Sequence, residues 1–113
     1  MAKSDGPVYV FITYQLEPGV TMEEFREFSK EVDQPIASVQ PGVIEYEHFE
    51  IEGADEGKPD VDIVEVIVAE SWDAWLEVDN RPEMKPIFEG FLRMAKDDTV
   101  KTFYGSKIEP KDG

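Results

Sequence analysis

The sequence predicts an α+β fold in the order β-α-β-β-α-β, an antiparallel sheet with two helices on one face. Three observations carry that prediction. Four runs are rich in β-branched and aromatic residues, two stretches between them hold apolar residues at helical spacing, and turn-forming residues mark the joins. Residues 8–15, VYVFITYQ, are an almost unbroken apolar run and read as a strand with both faces buried. Pro18-Gly19 marks a turn. Thr21 starts a helix, with Glu24 three residues on as its capping-box partner. Met22, Phe25, Phe28 (or Ser29), Val32 and Ile36 form one apolar stripe. Pro35 strains that helix near its end, and Pro41-Gly42 finishes the connection.

Residues 43–51, VIEYEHFEI, are the second strand: Ile44, Tyr46 and His48 share one face, Glu45, Glu47 and Phe49 the other. Residues 53–60 are a loop by composition, and 61–70, VDIVEVIVAE, are the third strand. Ser71 caps a second helical region with Trp72, Trp75 and Leu76 on one side. Asn80 and Glu83 read as a second cap with Pro82 in the first turn, which predicts a break near 79–82 and a helix from 82 to 95, with Ile87, Phe88, Phe91, Leu92 and Ala95 as its stripe. Asp97-Asp98 interrupts it, and residues 99–107 are the last strand. This order is the ferredoxin-like pattern. A chain of 113 residues supports one domain, with an ordered core over about 7–108 and short flexible tails.

Eleven Lys+Arg against 26 Asp+Glu give a net charge of −15. That balance argues against nucleic acid and against an anionic membrane surface as partners. No apolar run approaches the ~18 residues of a membrane helix, so a cytoplasmic protein is expected. There is no cysteine and one histidine, which removes disulfides, cysteine nucleophiles and the usual zinc sets. The acidic residues of the 53–62 loop lack the ligand order of a calcium loop, so no metal is expected.

Two helices cover one sheet face, yet the first and third strands are apolar on both. A second copy packed sheet to sheet, closing a dimeric α+β barrel across a two-fold axis, would cover the other face. Such a barrel keeps a cavity in each subunit between the sheet's inner face and the helices, the usual place for a small molecule. By strand parity Tyr9, Phe11 and Thr13 line it with Ile63, Glu65 and Ile67, joined by one parity class of strand two. Tyr46, Trp75 and Tyr104 are further aromatic candidates for holding a flat ligand.

Three side chains could move a proton. His48 is the only group whose ordinary pKa lies near neutrality, although its place depends on which face of strand two meets the cavity. Glu47 and Glu50 would raise its pKa if close. Glu65 stands among Ile63, Val64, Val66 and Ile67, where a carboxylate is costly unless paired or wet; Lys101 or Tyr104 across the sheet could pair with it. Asp33, in VDQP at the end of the first helix, is a carboxylate at the cavity mouth or a local cap. There is no glycine-rich phosphate loop and no nucleophile elbow.

The segments VYVFITYQLEPGV at 8–20, VDQP at 32–35, IVEVIVAESWDAWLEVDNRPEM at 63–84 and IFEGF at 87–91 resemble the dimeric α+β barrel superfamily, and within it the RedY-like (HapK) family. EthD-like members of that superfamily often carry a histidine two residues before the helix-end proline, the position of Asp33 here. The resemblance implies a small enzyme of bacterial secondary metabolism, working without a bound cofactor. Its substrate would be an aromatic nitrogen heterocycle of the bisindole (tryptophan-dimer) or prodiginine type. Proton transfer with cyclisation or rearrangement is the reaction it implies, with His48, Glu65 and Asp33 as the candidate carriers. A cofactorless monooxygenase and a non-catalytic carrier of a reactive intermediate are the rival readings.

Overall fold

The computed structural model describes residues 6–111; the expected tails fall largely outside them. The strands are β1 (Val8–Tyr14), β2 (Val43–Glu50), β3 (Ile63–Ala69) and β4 (Lys101–Gly105). All pair antiparallel in the order β2-β3-β1-β4. The helices are α1 (Met22–Phe28), α2 (Gln34–Ala37), α3 (Trp72–Asp79) and α4 (Lys85–Met94). Thr21 and Glu24 make the expected reciprocal cap of α1. Ser71 caps α3 through Ala74 N–H. A tight turn at Pro82–Met84 supplies the break before α4.

Register decides the faces. Val10 stands opposite Ile67, Ile12 opposite Glu65 and Tyr14 opposite Ile63. On the other side of β3, Tyr46 faces Ile67 and His48 faces Glu65. Directly opposed residues share a face. The helix-covered face is therefore built from Val10, Ile12 and Tyr14 with Ile63, Glu65 and Ile67, and with Tyr46 and His48. Tyr9, Phe11 and Thr13 pair with Val68, Val66 and Val64 on the opposite, uncovered face. Grouping Tyr9, Phe11 and Thr13 with Glu65 as cavity lining is thus corrected: β1–β3 partners sum to an odd number, so even positions of one strand meet odd positions of the other.

The covered face holds two apolar clusters. One gathers Val10, Tyr46, Ile67, Trp75, Met84 and Ile87; the other gathers Tyr14, Phe25, Phe28, Ile63 and Met94. Glu65, placed between Ile63 and Ile67 on β3, stands at the seam. The α4 stripe differs from expectation: Ile87, Gly90 and Met94 are buried while Leu92 is 73% exposed. At 100° per residue, Leu92 turns away from the line through Ile87, Phe91 and Met94. Gly90 has to be a glycine, because a Cβ there would run into the Phe28 ring.

Candidate active site

The first helix does not end at Pro35. That proline has no N–H to give, and its ring crowds the carbonyl of Glu31. Instead the chain widens through one π-helical turn at Ser29–Asp33, where Gln34 N–H reaches back to Ser29 O, and continues into α2. Ser29 and Asp33 are both buried by this turn, against the sheet positions of His48 and Glu65.

The sequence candidates His48, Asp33 and Glu65 meet there. His48 Nε2 lies 3.3 Å from Asp33 Oδ2 and 3.6 Å from Glu65 Oε2, and none of the three side chains is more than 4% exposed. Tyr46 donates its hydroxyl to Asp33 Oδ1 at 2.7 Å. Tyr14 donates to Glu65 Oε2. Gln34 Nε2 donates to Ser29 Oγ at 2.8 Å, and Ser29 Oγ lies 2.7 Å from His48 Nδ1. With its oxygen accepting from Gln34, Ser29 has its own hydroxyl hydrogen free for Nδ1. A neutral ring with its N–H on Nε2 suits this arrangement, since Nδ1 then accepts from Ser29 while the N–H faces the carboxyl oxygens.

Burial governs the protonation of this set. It pushes Glu65 up to about 8, helped by the Asp33 charge and opposed by the Tyr14 hydrogen bond. It pushes Asp33 up to about 6, opposed by the Tyr46 bond, and His48 down to about 4. Both tyrosine hydroxyls are held protonated, chiefly by burial. Near neutrality the state of least buried charge follows: Asp33 ionised, His48 neutral, Glu65 protonated. Glu47 and Glu50 play no part. Glu47 lies on the opposite sheet face, and Glu50 is paired with Arg26. Nor is Lys101 or Tyr104 the partner of Glu65, since Tyr14 takes that role.

Two cavities flank the set. One of about 200 Å³ has Asp33, Tyr46 and Glu65 in its lining, with Ile12, Trp75, Met84, Ile87, Phe88 and Phe91 as apolar walls and Asp79, Val100 and Thr102 completing it. A second of about 370 Å³ is lined by Ser29, Gln34 and His48 with Phe25, Arg26, Lys30, Phe49 and Glu50. His48 therefore stands between the carboxylate cavity and this second opening. Of the sequence candidates for binding, Tyr46 and Trp75 line the first cavity. Ile67 is buried in the core instead, and Tyr104 is 55% exposed and stacks on Trp72 at 3.7 Å. Tyr14, Ser29, Gln34 and Asp79 were not singled out as site residues. The signals that could have found them are Tyr14's even position on β1 and Ser29's place beside the helical stripe.

The donor set has a second capacity. Asp33, His48 and Glu65 each offer one ligand atom within 4.8 Å of the others, so a divalent cation could be held by one imidazole and two carboxylates. The scarcity of histidine and cysteine excludes the usual zinc sets but not this one.

A four-stranded antiparallel sheet with helices on one face defines a ferredoxin-like α+β protein. Within that class the chain belongs to the REDY-like protein HapK family, whose model matches residues 8–108. The chain is similar to the crystal structure of HapK from Hahella chejuensis (17% identity, TM-score 0.74, covering 94% of this chain and 97% of that one). It is also similar to SnoaB, a cofactor-independent oxygenase from Streptomyces nogalater (15% identity, TM-score 0.70, 93% and 96% covered). A third similar structure is a dimeric ferredoxin-like protein of unknown function from Thermobifida fusca (12% identity, TM-score 0.75, 95% and 97% covered). No curated protein matches the chain.

Proposed function

We propose that this chain is a cofactor-independent enzyme that transfers a proton on a flat aromatic nitrogen heterocycle, leading to cyclisation or rearrangement. One observation carries the reading. Asp33, His48 and Glu65 come from three separate segments and converge, buried, beside a cavity with aromatic walls. Burying such groups is costly, and clusters of this kind are found preferentially where chemistry is done. In the neutral state derived above, Asp33 is the base and Glu65 the acid, two carboxyls whose environments separate their proton affinities. Tyr46 orients Asp33 by its hydroxyl, and the imidazole of His48, whose Nε2 faces both carboxyls, connects the acid pair to the second cavity. The cavity walls position the ring so that transfer occurs within one complex. Membership of the REDY-like family supports a role in secondary metabolism.

The test is incubation of EDTA-treated protein with indole and pyrrole intermediates, with and without oxygen, followed by mass spectrometry. A product formed without oxygen, and lost in Asp33→Asn and His48→Ala, is the expected result. A product formed only in oxygen would replace this reading with a cofactorless monooxygenase. Unchanged ligand retained through gel filtration would replace it with a carrier.

A further inference from the structure

The π-helical turn clasps the His48 ring from both ends. Ser29 Oγ lies 2.7 Å from Nδ1, and Asp33 Oδ2, four residues on, lies 3.3 Å from Nε2. A hydroxyl, an imidazole and a carboxylate in that order are the parts of an activated serine. The direction of the hydrogen bonds fits as well. Ser29 Oγ accepts from Gln34 Nε2, so its own hydrogen is given to Nδ1 and one lone pair stays free for attack. Asp33 makes no hydrogen bond to the ring and acts on it through charge, which favours the imidazolium formed once Nδ1 takes a proton. A second observation is the space on the Ser29 side. Ser29 and His48, both buried, border the cavity of about 370 Å³, with Phe25 and Phe49 as apolar walls. A carbonyl compound held there stands beside both the nucleophile and its base. Gln34 keeps a second amide hydrogen and Lys30 brings an ammonium group, both in the same lining, where a tetrahedral oxyanion needs donors. Single π-helical turns recur at functional sites, and this one is what brings Ser29 and Asp33 to the ring together.

We infer that Ser29, His48 and Asp33 form a second reactive centre, opening on this cavity, which takes the acyl group from a small ester or thioester with an apolar acyl chain. The inference goes beyond the proposed proton transfer and needs no ligand in the first cavity. Ser29 Oγ bonds to the carbonyl carbon as its proton passes to His48 Nδ1. The tetrahedral adduct collapses, the carbon–oxygen or carbon–sulfur bond breaks, and the departing alcohol or thiol carries off that proton. Water then adds to the acyl-serine and gives one proton to Nδ1. The bond from Ser29 Oγ to the acyl carbon breaks, Ser29 takes the proton back, and a carboxylic acid leaves.

The test treats the EDTA-treated full chain with a fluorophosphonate and, separately, with p-nitrophenyl acetate, and reads both by intact mass and peptide mapping. The fluorophosphonate should add once per chain, at Ser29, and should leave the urea-unfolded chain unlabelled. p-Nitrophenyl acetate should release a burst of about one nitrophenol per chain and leave an acetyl group on Ser29. Ser29→Ala should lose both the label and the burst, and His48→Ala should slow labelling about a hundredfold or more. If either variant fails to fold, the mapped label on the parent chain decides. A label mapped to another residue overturns the inference, as does equal labelling of the unfolded chain, nitrophenol release as fast in Ser29→Ala as in the parent, or no reaction with either probe. Heterocycle turnover in a chain that never acylates Ser29 would sink this inference alone, whereas acylation of Ser29 without turnover of any heterocycle would sink the proton-transfer reading alone.

Discussion

At the residue scale, the buried acid pair leaves a signature in stability. Glu65 and Asp33 both take up protons more readily in the folded chain than in the unfolded one. The stabilisation they contribute is therefore complete below their ordinary values, near 4, and is lost as pH rises through about 6 for Asp33 and about 8 for Glu65. His48 has the opposite sign: its contribution is complete above its ordinary 6.5 and is lost as pH falls through about 4. Above pH 6.5 only the carboxyl effect remains, so the melting temperature should fall between there and pH 8.5. Glu65→Gln keeps an acceptor for Tyr14 and cannot ionise. Its melting temperature should stay flatter over that range and exceed that of the parent chain at the alkaline end. An identical slope in both proteins would show that Glu65 is not the group titrating. Ser29→Ala removes the hydrogen bond that holds His48 Nδ1 and leaves Gln34 without an acceptor. Urea unfolding should register a loss of about 1–3 kcal/mol.

At the element scale, the π-helical turn and the glycine of α4 set the architecture of the site. Gly90 lets α4 approach the first helix at Phe28, and Phe91, the next residue, is a wall of the first cavity. Gly90→Ala forces Phe28 or α4 outward despite alanine's better helix propensity. Overpacking of this kind costs about 1–3 kcal/mol, so the urea midpoint should fall; a rise would mean the helices separate without penalty. The two capped helices and four strands were legible because each rests on local signals. Thr21 with Glu24, Ser71, and Pro82 all lie within a few residues of what they control; Asn80 and Glu83 do not form the second cap, because Asn80 closes α3 by donating to Leu76 O and α4 starts at Lys85 without a side-chain cap. Leu92 was misread because the stripe was continued by spacing alone, and its direction depends on where α4 meets the sheet.

At the scale of the whole molecule, the uncovered sheet face predicts assembly. Val66, Phe11 and Phe103 lie in register across β3, β1 and β4, and Phe11 and Phe103 are 36% and 53% exposed. Val64 and Phe49 extend the same face. A second copy over this row is the proposed homodimer. Sedimentation should show a dimer for the parent chain and a folded monomer for Val66→Asp, which places a charge in this apolar row. Each subunit carries −15, so dimerisation should tighten as salt screens the repulsion. A parent chain that stays monomeric at high salt would remove the dimer.

Read by itself, the sequence determined the order and type of the elements, the acidic surface and the three proton-carrying candidates. Periodicity, capping and composition are properties of neighbouring residues, and no partner is needed to read them. Only the tertiary structure decided that Asp33, His48 and Glu65 form one site, and that Tyr9, Phe11 and Thr13 lie on the far side of the sheet from it. Side chains alternate along a strand with period two, so each strand offers two consistent faces. Which face of β1 joins which face of β3 depends on long-range pairing, with Tyr14 opposite Ile63 and Ile12 opposite Glu65, and no local signal carries that register.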